Sequence, residues 1–153
     1  MIDVAGMNRL LDEAVPFSRA VGARVVLMEP ERAEALLPAS PERLNHVGTV
    51  HAVAQFGVGE VAAGALILRS FGALQAQGYA PVVAETVIRY KQPARGDLRS
   101  IAELPLPEQE RIRQQIATDG KARFTIPVRI VDDAGNVVTE LEVNWALIKV
   151  AGG

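Results

Sequence analysis

The chain has 153 residues, a formal net charge of −2 and no cysteine. That length suits one domain with a core of its own, and the missing cysteines exclude disulfides, thiolate chemistry and Cys-containing metal sites. Balanced charge, no basic stripe and few aromatic residues for stacking bases leave no footprint for nucleic acid.

The first fifteen residues (MIDVAGMNRLLDEAV) carry acids early and lack a basic n-region, so they do not read as a signal peptide, and a cytoplasmic location is expected. Between Met7 and Ala20, the apolar residues Met7, Leu10, Leu11, Ala14 and Val15 fall at helical spacing, with Asn8, Arg9, Asp12 and Glu13 between them. This predicts a packing helix that Pro16 kinks or ends. Ala23–Glu29 (ARVVLME) is rich in β-branched residues, Pro30-Glu31 reads as a turn, and Arg32–Pro38 (RAEALLP) completes a predicted hairpin. Ala39–Leu44 is a polar loop.

Asn45 to Leu68 (NHVGTVHAVAQFGVGEVAAGALIL) is the stretch that organises the rest. From Val50 to Leu68 it is apolar or small apart from His51, Gln55 and Glu60, without a proline. Such a run is too long for a buried strand and suits a helix of roughly 28 Å, with Gly48-Thr49 as a flexible lead-in and the Thr49 hydroxyl as candidate N-cap. A helix apolar all round is surrounded by protein or by lipid. The length fits a membrane span, but Glu60 near the middle opposes insertion by roughly 2.5–3.5 kcal/mol, and the flanking amphipathic strands need something apolar to wrap, so no membrane partner is expected. Glu60 has small or apolar neighbours on its own face (Phe56, Gly57, Ala63, Gly64, Ile67), and a lone acid there is costly unless it is paired, hydrogen-bonded or used. His46 and His51 lie five apart with no third ligand nearby, so neither a zinc site nor another metal or cofactor is expected.

Gly72 and Gly78 end the helix. Ala80–Gln92 is a predicted strand followed by the turn Pro93-Ala94-Arg95-Gly96-Asp97, and Leu98–Leu104 is another strand. Pro105 and Pro107 open Glu108–Ile116, a charged stretch read as a short surface helix or a loop with a solvated face. The clearest strand signal is Ala122 to Val131, where Ala122, Phe124, Ile126, Val128 and Ile130 alternate with more polar residues. Pro127 cannot donate to a ladder, so this strand is expected to be a local edge or to carry a bulge. A turn at Asp132–Asn136 leads into a last strand, Val137–Val150, with Val137, Thr139, Leu141, Val143, Trp145 and Leu147 on one face. The sum is an α+β fold, about six antiparallel strands curled around one buried helix.

This order, with Asn45-His46-Val47-Gly48-Thr49-Val50-His51-Ala52 followed by Glu60 and with the strand and turn from Arg89 to Asp97, resembles the hot-dog fold thioesterases. Within them it resembles the phenylacetyl-CoA thioesterase-like group. There an Asn precedes the helix, a Gly-Thr-x-His turn opens it and an acid follows two turns in. Where that group has Gly-Gly after the His, this chain has Ala52 and Val53. Where some members use a hydroxyl on the third strand, the equivalents are Val83 or Ala84, with Thr86 the nearest hydroxyl. The looser pattern of Gln55 and Glu60 on an Ala/Gly-rich helix looks like a bacterial branch of the superfamily.

The resemblance implies an acyl-CoA or acyl-carrier-protein thioesterase. Glu60 would be general base or nucleophile, Asn45 would orient the carbonyl or the water, His51 at the helix opening would be a third catalytic residue, and the Ala52 N–H would serve the oxyanion. The exposed N–H groups of Val50, His51 and Ala52, at the positive end of the helix, suit such a carbonyl oxygen. Gln55 and Gly64 are expected to contact substrate, and Lys91 and Arg95 to bind CoA phosphates. On one continuous helix His51 and Glu60 point to opposite sides and lie roughly 13 Å apart along the axis. A shared reaction therefore needs a second subunit, in a homodimer with two composite sites or a tetramer of two dimers, as in family dimers. The plainer readings are a structural Glu60, a capping His51, a turn-forming Asn45 and surface charges at Lys91 and Arg95. Two other functions fit the layout: a non-catalytic acyl-CoA-binding module, and a hot-dog hydroxyacyl dehydratase using His46 and Glu60. The dehydratases carry a Pro-Gly segment where this chain has Val47-Gly48-Thr49. Few aromatic residues favour aliphatic acyl groups.

Overall fold

A computed structural model describes residues 2–150. Helix α1 (Val4–Ala14) is capped by Asp3, whose carboxylate accepts the Gly6 N–H at 2.7 Å. Pro16 stands at the first position of α2 (Pro16–Val21), where its missing N–H costs nothing, so the predicted single helix is two. Strands β1 (Arg24–Met28) and β2 (Arg32–Leu37) form the expected hairpin. Helix α3 (Ala52–Phe71) follows, then a short 3₁₀ segment (Gly72–Gln77), β3 (Tyr79–Tyr90), β4 (Leu98–Glu103), α4 (Leu106–Asp119), β5 (Ala122–Val131) and β6 (Val137–Lys149).

The six strands make one antiparallel sheet in the order β1-β2-β4-β5-β6-β3, with α3 against its inner face. Val58, Ala62, Ala65 and Leu66 of α3 are fully enclosed, as are Ile126 and Ile130 of β5 and Val143 of β6. The helix is apolar on nearly every side because protein surrounds it.

Pro127 has a clear place. β5 lies inside the sheet, but its pairing with β4 ends at Ala102↔Val128, so one residue further on it is an edge on that side. Helix α4 differs from the expectation of a solvated stretch. It runs for 14 residues and buries Gln109, Ile112 and Ile116, closing the sheet end where the charges had masked an i, i+4 pair of isoleucines. The two sheet edges differ. At β1 the Asn8 carboxamide accepts the Val25 N–H (3.0 Å) and donates to the Val25 carbonyl (2.9 Å), so α1 blocks that edge at Val25. β3, the longer edge strand, pairs only with β6.

Candidate functional site

The segment before α3 is a knotted-up turn. The Asn45 N–H donates to the Thr49 carbonyl (2.8 Å), and the Gly48 N–H donates to the Asn45 carbonyl (3.0 Å). Gly48 sits at φ 73°, a left-handed conformation that glycine adopts without strain. The Asn45 side chain is anchored inside this turn, which uses both lone pairs of its oxygen and one of its two amide hydrogens. Its Oδ1 accepts the N–H groups of Val47 and Thr49 (3.1 Å each), and its Nδ2 donates to the Thr49 hydroxyl (2.8 Å). The helix cap is His51 rather than Thr49, because the Asn45 network holds the threonine back. His51 Nδ1 accepts the Val53 N–H at 3.1 Å, which puts the proton of a neutral ring on Nε2.

Three helix-end amides were expected to be open, and two are not. The Val50 N–H donates to the Ala94 carbonyl (2.9 Å) and the His51 N–H to the Arg43 carbonyl (2.7 Å). The chain enters the helix between two other segments, and their carbonyls take these donors. The Ala52 N–H has no partner among the described residues. Next to it the Tyr90 hydroxyl donates to the Ala52 carbonyl at 3.2 Å, tying the far end of β3 to the start of α3.

Glu60 stands two turns along α3, half-buried, with no hydrogen bond or ion pair to another described residue. Burial raises its carboxyl above the ordinary value. Among the described residues it is the only charged one lining a groove of about 280 Å³ between α1 and α3, walled by Leu10, Leu11, Val61, Leu68, Pro81 and Trp145. Gly64, one turn beyond Glu60, opens onto the same groove. Trp145 is 5% exposed and its indole N–H has no partner among the described residues.

The remaining predicted residues lie elsewhere. Gln55 is buried; it donates to the Val50 carbonyl (2.8 Å) and accepts the Thr139 hydroxyl, so its amide serves the core. Lys91 pairs with Glu140 (3.1 Å), and Arg95 donates to the Gly48 carbonyl (3.1 Å), bracing the turn before α3. His46 is exposed on that turn. The Thr86 hydroxyl on β3 is buried without a partner among the described residues. Among the described residues no three acidic or imidazole side chains converge to hold a metal. Tyr90, Trp145 and the α1 wall were not foreseen. Their only signals in the sequence are strand alternation and helical spacing, which give the buried face and not the neighbour across it.

The family model described as a domain of unknown function, DUF4442, matches residues 5–147. No curated protein matches the chain. Among solved structures, a Pseudomonas aeruginosa protein of unknown function described as a "probable thioesterase" is 28% identical, with 97% of each chain covered and a TM-score of 0.85. A variant of another P. aeruginosa protein, described as a thioesterase, is 14% identical over 98% of this chain and 96% of that one, with a TM-score of 0.73. A variant of a Staphylococcus aureus thioesterase is 16% identical over 88% of this chain and 99% of that one, at 0.68. The architecture they share with this chain, an antiparallel sheet curled around a long central helix, is the hot-dog fold.

Proposed function

The chain belongs to the DUF4442 family, and from that premise we propose that it is an acyl-thioester hydrolase whose sites are completed by a second copy of itself. The observation that carries the reading is Glu60, a carboxyl of raised pKa without a partner among the described residues, at a groove lined mostly by apolar side chains. A protein has little reason to keep such a group unless it is used. Two features add support. The structure that is 28% identical is described as a probable thioesterase. The Ala52 N–H also has no partner among the described residues, beside a capped helix end where a developing oxyanion gains most from a fixed donor.

Glu60 and the Ala52 amide are eight residues apart on one helix, roughly 12 Å along its axis. One chain therefore supplies the carboxylate and its partner the amide. The open β3 edge gives the two copies a means of joining, strand to strand, and Tyr90 links that strand to the helix start. In the reaction the Glu60 carboxylate takes a proton from water as the water oxygen attacks the thioester carbonyl. The carbonyl oxygen is held by the amide, the C–S bond breaks to give the carboxylic acid, and the leaving sulfur takes the proton from Glu60, which releases the thiol and restores the carboxylate. Direct attack by Glu60 would give an anhydride instead, and single turnover in ¹⁸O-water separates the two by where the label enters.

Thiol release from a panel of acyl-CoAs tests the proposal. Glu60→Gln should lower turnover by roughly 10²-fold or more while acyl-CoA still raises the melting temperature. Turnover that survives Glu60→Gln would refute it. Tight acyl-CoA binding without turnover in the unaltered protein would mark a binding module in place of an enzyme.

A further inference from the structure

Glycine in a helix interior is less favourable than alanine, because it gives up more backbone freedom on folding. Helix α3 holds three in its interior, Gly57, Gly59 and Gly64. Two have a packing reason. A Cβ at Gly57 would lie 3.0 Å from Val21 Cγ1, and one at Gly59 would lie 2.9 Å from Leu141 Cδ2. Gly64 has none: its nearest neighbour would be Trp145 Cη2 at 3.9 Å, an ordinary contact. The unfilled space at Gly64 is part of the groove. Glu60, Gly64 and Leu68 follow one another at intervals of four along α3, so they share a face of the helix, and all three line that groove.

We propose that Gly64 sets the length of acyl chain the protein accepts: an aliphatic chain passes Glu60, lies along α3 over Gly64 and ends near Leu68 and Gln75. This inference rests on the thioesterase reading of the same groove. The chemistry of the walls selects the occupant. Leu10, Leu11, Val61 and Leu68 offer only hydrocarbon, Trp145 closes one side, Ser18 and Gln75 are the polar groups besides Glu60, and that acid stands where the thioester would react. A Cβ at position 64 would have only Trp145 within 4 Å, so a larger side chain there would extend into the passage.

The test compares the unaltered protein with Gly64→Val on butyryl-, octanoyl- and dodecanoyl-CoA. The ratio of kcat/KM for dodecanoyl- to butyryl-CoA should fall roughly tenfold or more in the variant, since two methyl groups then occupy the apolar passage. An unchanged ratio, whether activity is kept or lost on all chains alike, overturns the inference. Gly64→Ala serves as the folding control, with a melting temperature at or above that of the unaltered protein. Should Gly64→Val not fold, Leu68→Phe, which narrows the far end of the groove, carries the same expectation for the ratio. If no acyl-CoA is hydrolysed by the unaltered protein, the enzyme reading falls, and non-hydrolysable S-alkyl-CoA thioethers decide the chain seat by thermal shift. Stabilisation that grows with alkyl length in the unaltered protein but not in Gly64→Val upholds it; equal growth in both refutes it.

Discussion

Glu60 is the residue on which the chemistry turns, and its environment makes two linked demands. Burial raises its pKa, so the base form appears only at a pH above that of an ordinary glutamate. The pH profile of kcat/KM should accordingly rise through an apparent pKa above the usual carboxylate range; a flat profile across that range would remove Glu60 as the base. The same shift acts on stability with a definite sign. A carboxyl whose folded pKa exceeds its unfolded one binds its proton more tightly when folded, so its favourable contribution is full below the unfolded value and is lost as pH rises through the folded value. Glu60→Gln should therefore raise the melting temperature at neutral pH relative to the unaltered protein, and this gain should shrink under acid conditions. Asn45 is the contrasting case. Its position before the helix is legible in the sequence, but its carboxamide makes three hydrogen bonds within its own turn, which spacing alone cannot show.

At the scale of elements, α3 carries the largest consequences. Its glycines look alike in the sequence and are not alike in the fold. Gly64→Ala removes a helix-interior glycine without a clash and should add about 0.5–1 kcal/mol to stability. Gly59→Ala pushes against the buried Leu141 and should cost about 1–2 kcal/mol, as modest overpacking does. Denaturant unfolding of both variants checks the pair, and equal effects of the same sign would contradict the packing argument. β5 follows its alternation closely, because a two-residue period with one apolar face admits only one register on a core, and β6 keeps Thr139, Leu141, Val143, Trp145 and Leu147 buried. At its start a bulge opposite Ile130 and Val131 buries Val138 where the alternation had placed Val137. α4 does not follow its composition: Glu108, Glu110, Arg111 and Arg113 dominate the string, while Ile112 and Ile116 decide where the helix docks. Arg113 is drawn in as well, its guanidinium 5.3 Å from the centre of the Phe71 ring.

For the whole molecule, the asymmetry of the sheet edges matters most. β1 is blocked at Val25 by Asn8, whereas β3 runs for 12 residues with its outward ladder unpaired among the described residues and with Val82 and Val87 exposed. A long open edge is a template for pairing. In the proposed dimer two copies of β3 meet antiparallel about a two-fold axis near their middle, which sets Val82 against the partner's Val87. Val82→Lys with Val87→Lys then places like charges opposite each other. We expect this double variant to be monomeric by light scattering, folded by circular dichroism and inactive on acyl-CoA, since each site loses the amide its partner supplies. A variant that stays dimeric, or a monomer with full activity, would refute the shared site. Elsewhere the outer face of the sheet is covered by cross-strand ion pairs, among them Arg99–Glu34, Arg129–Glu103 and Arg89–Glu142, which suit water rather than an apolar partner.

The sequence by itself determined the fold class and the place of the acid. Hydrophobic periodicity is a local signal, and a long apolar run among alternating strands has few solutions other than a helix wrapped by a sheet. A lone glutamate in that run is equally visible. What lies across from each buried face is a property of contacts distant in sequence, and only the tertiary structure decided it. Carbonyls of Arg43 and Ala94 take two of the three helix-end amides, α1 and Trp145 wall the groove beside Glu60, and Gln55 turns into the core toward Thr139.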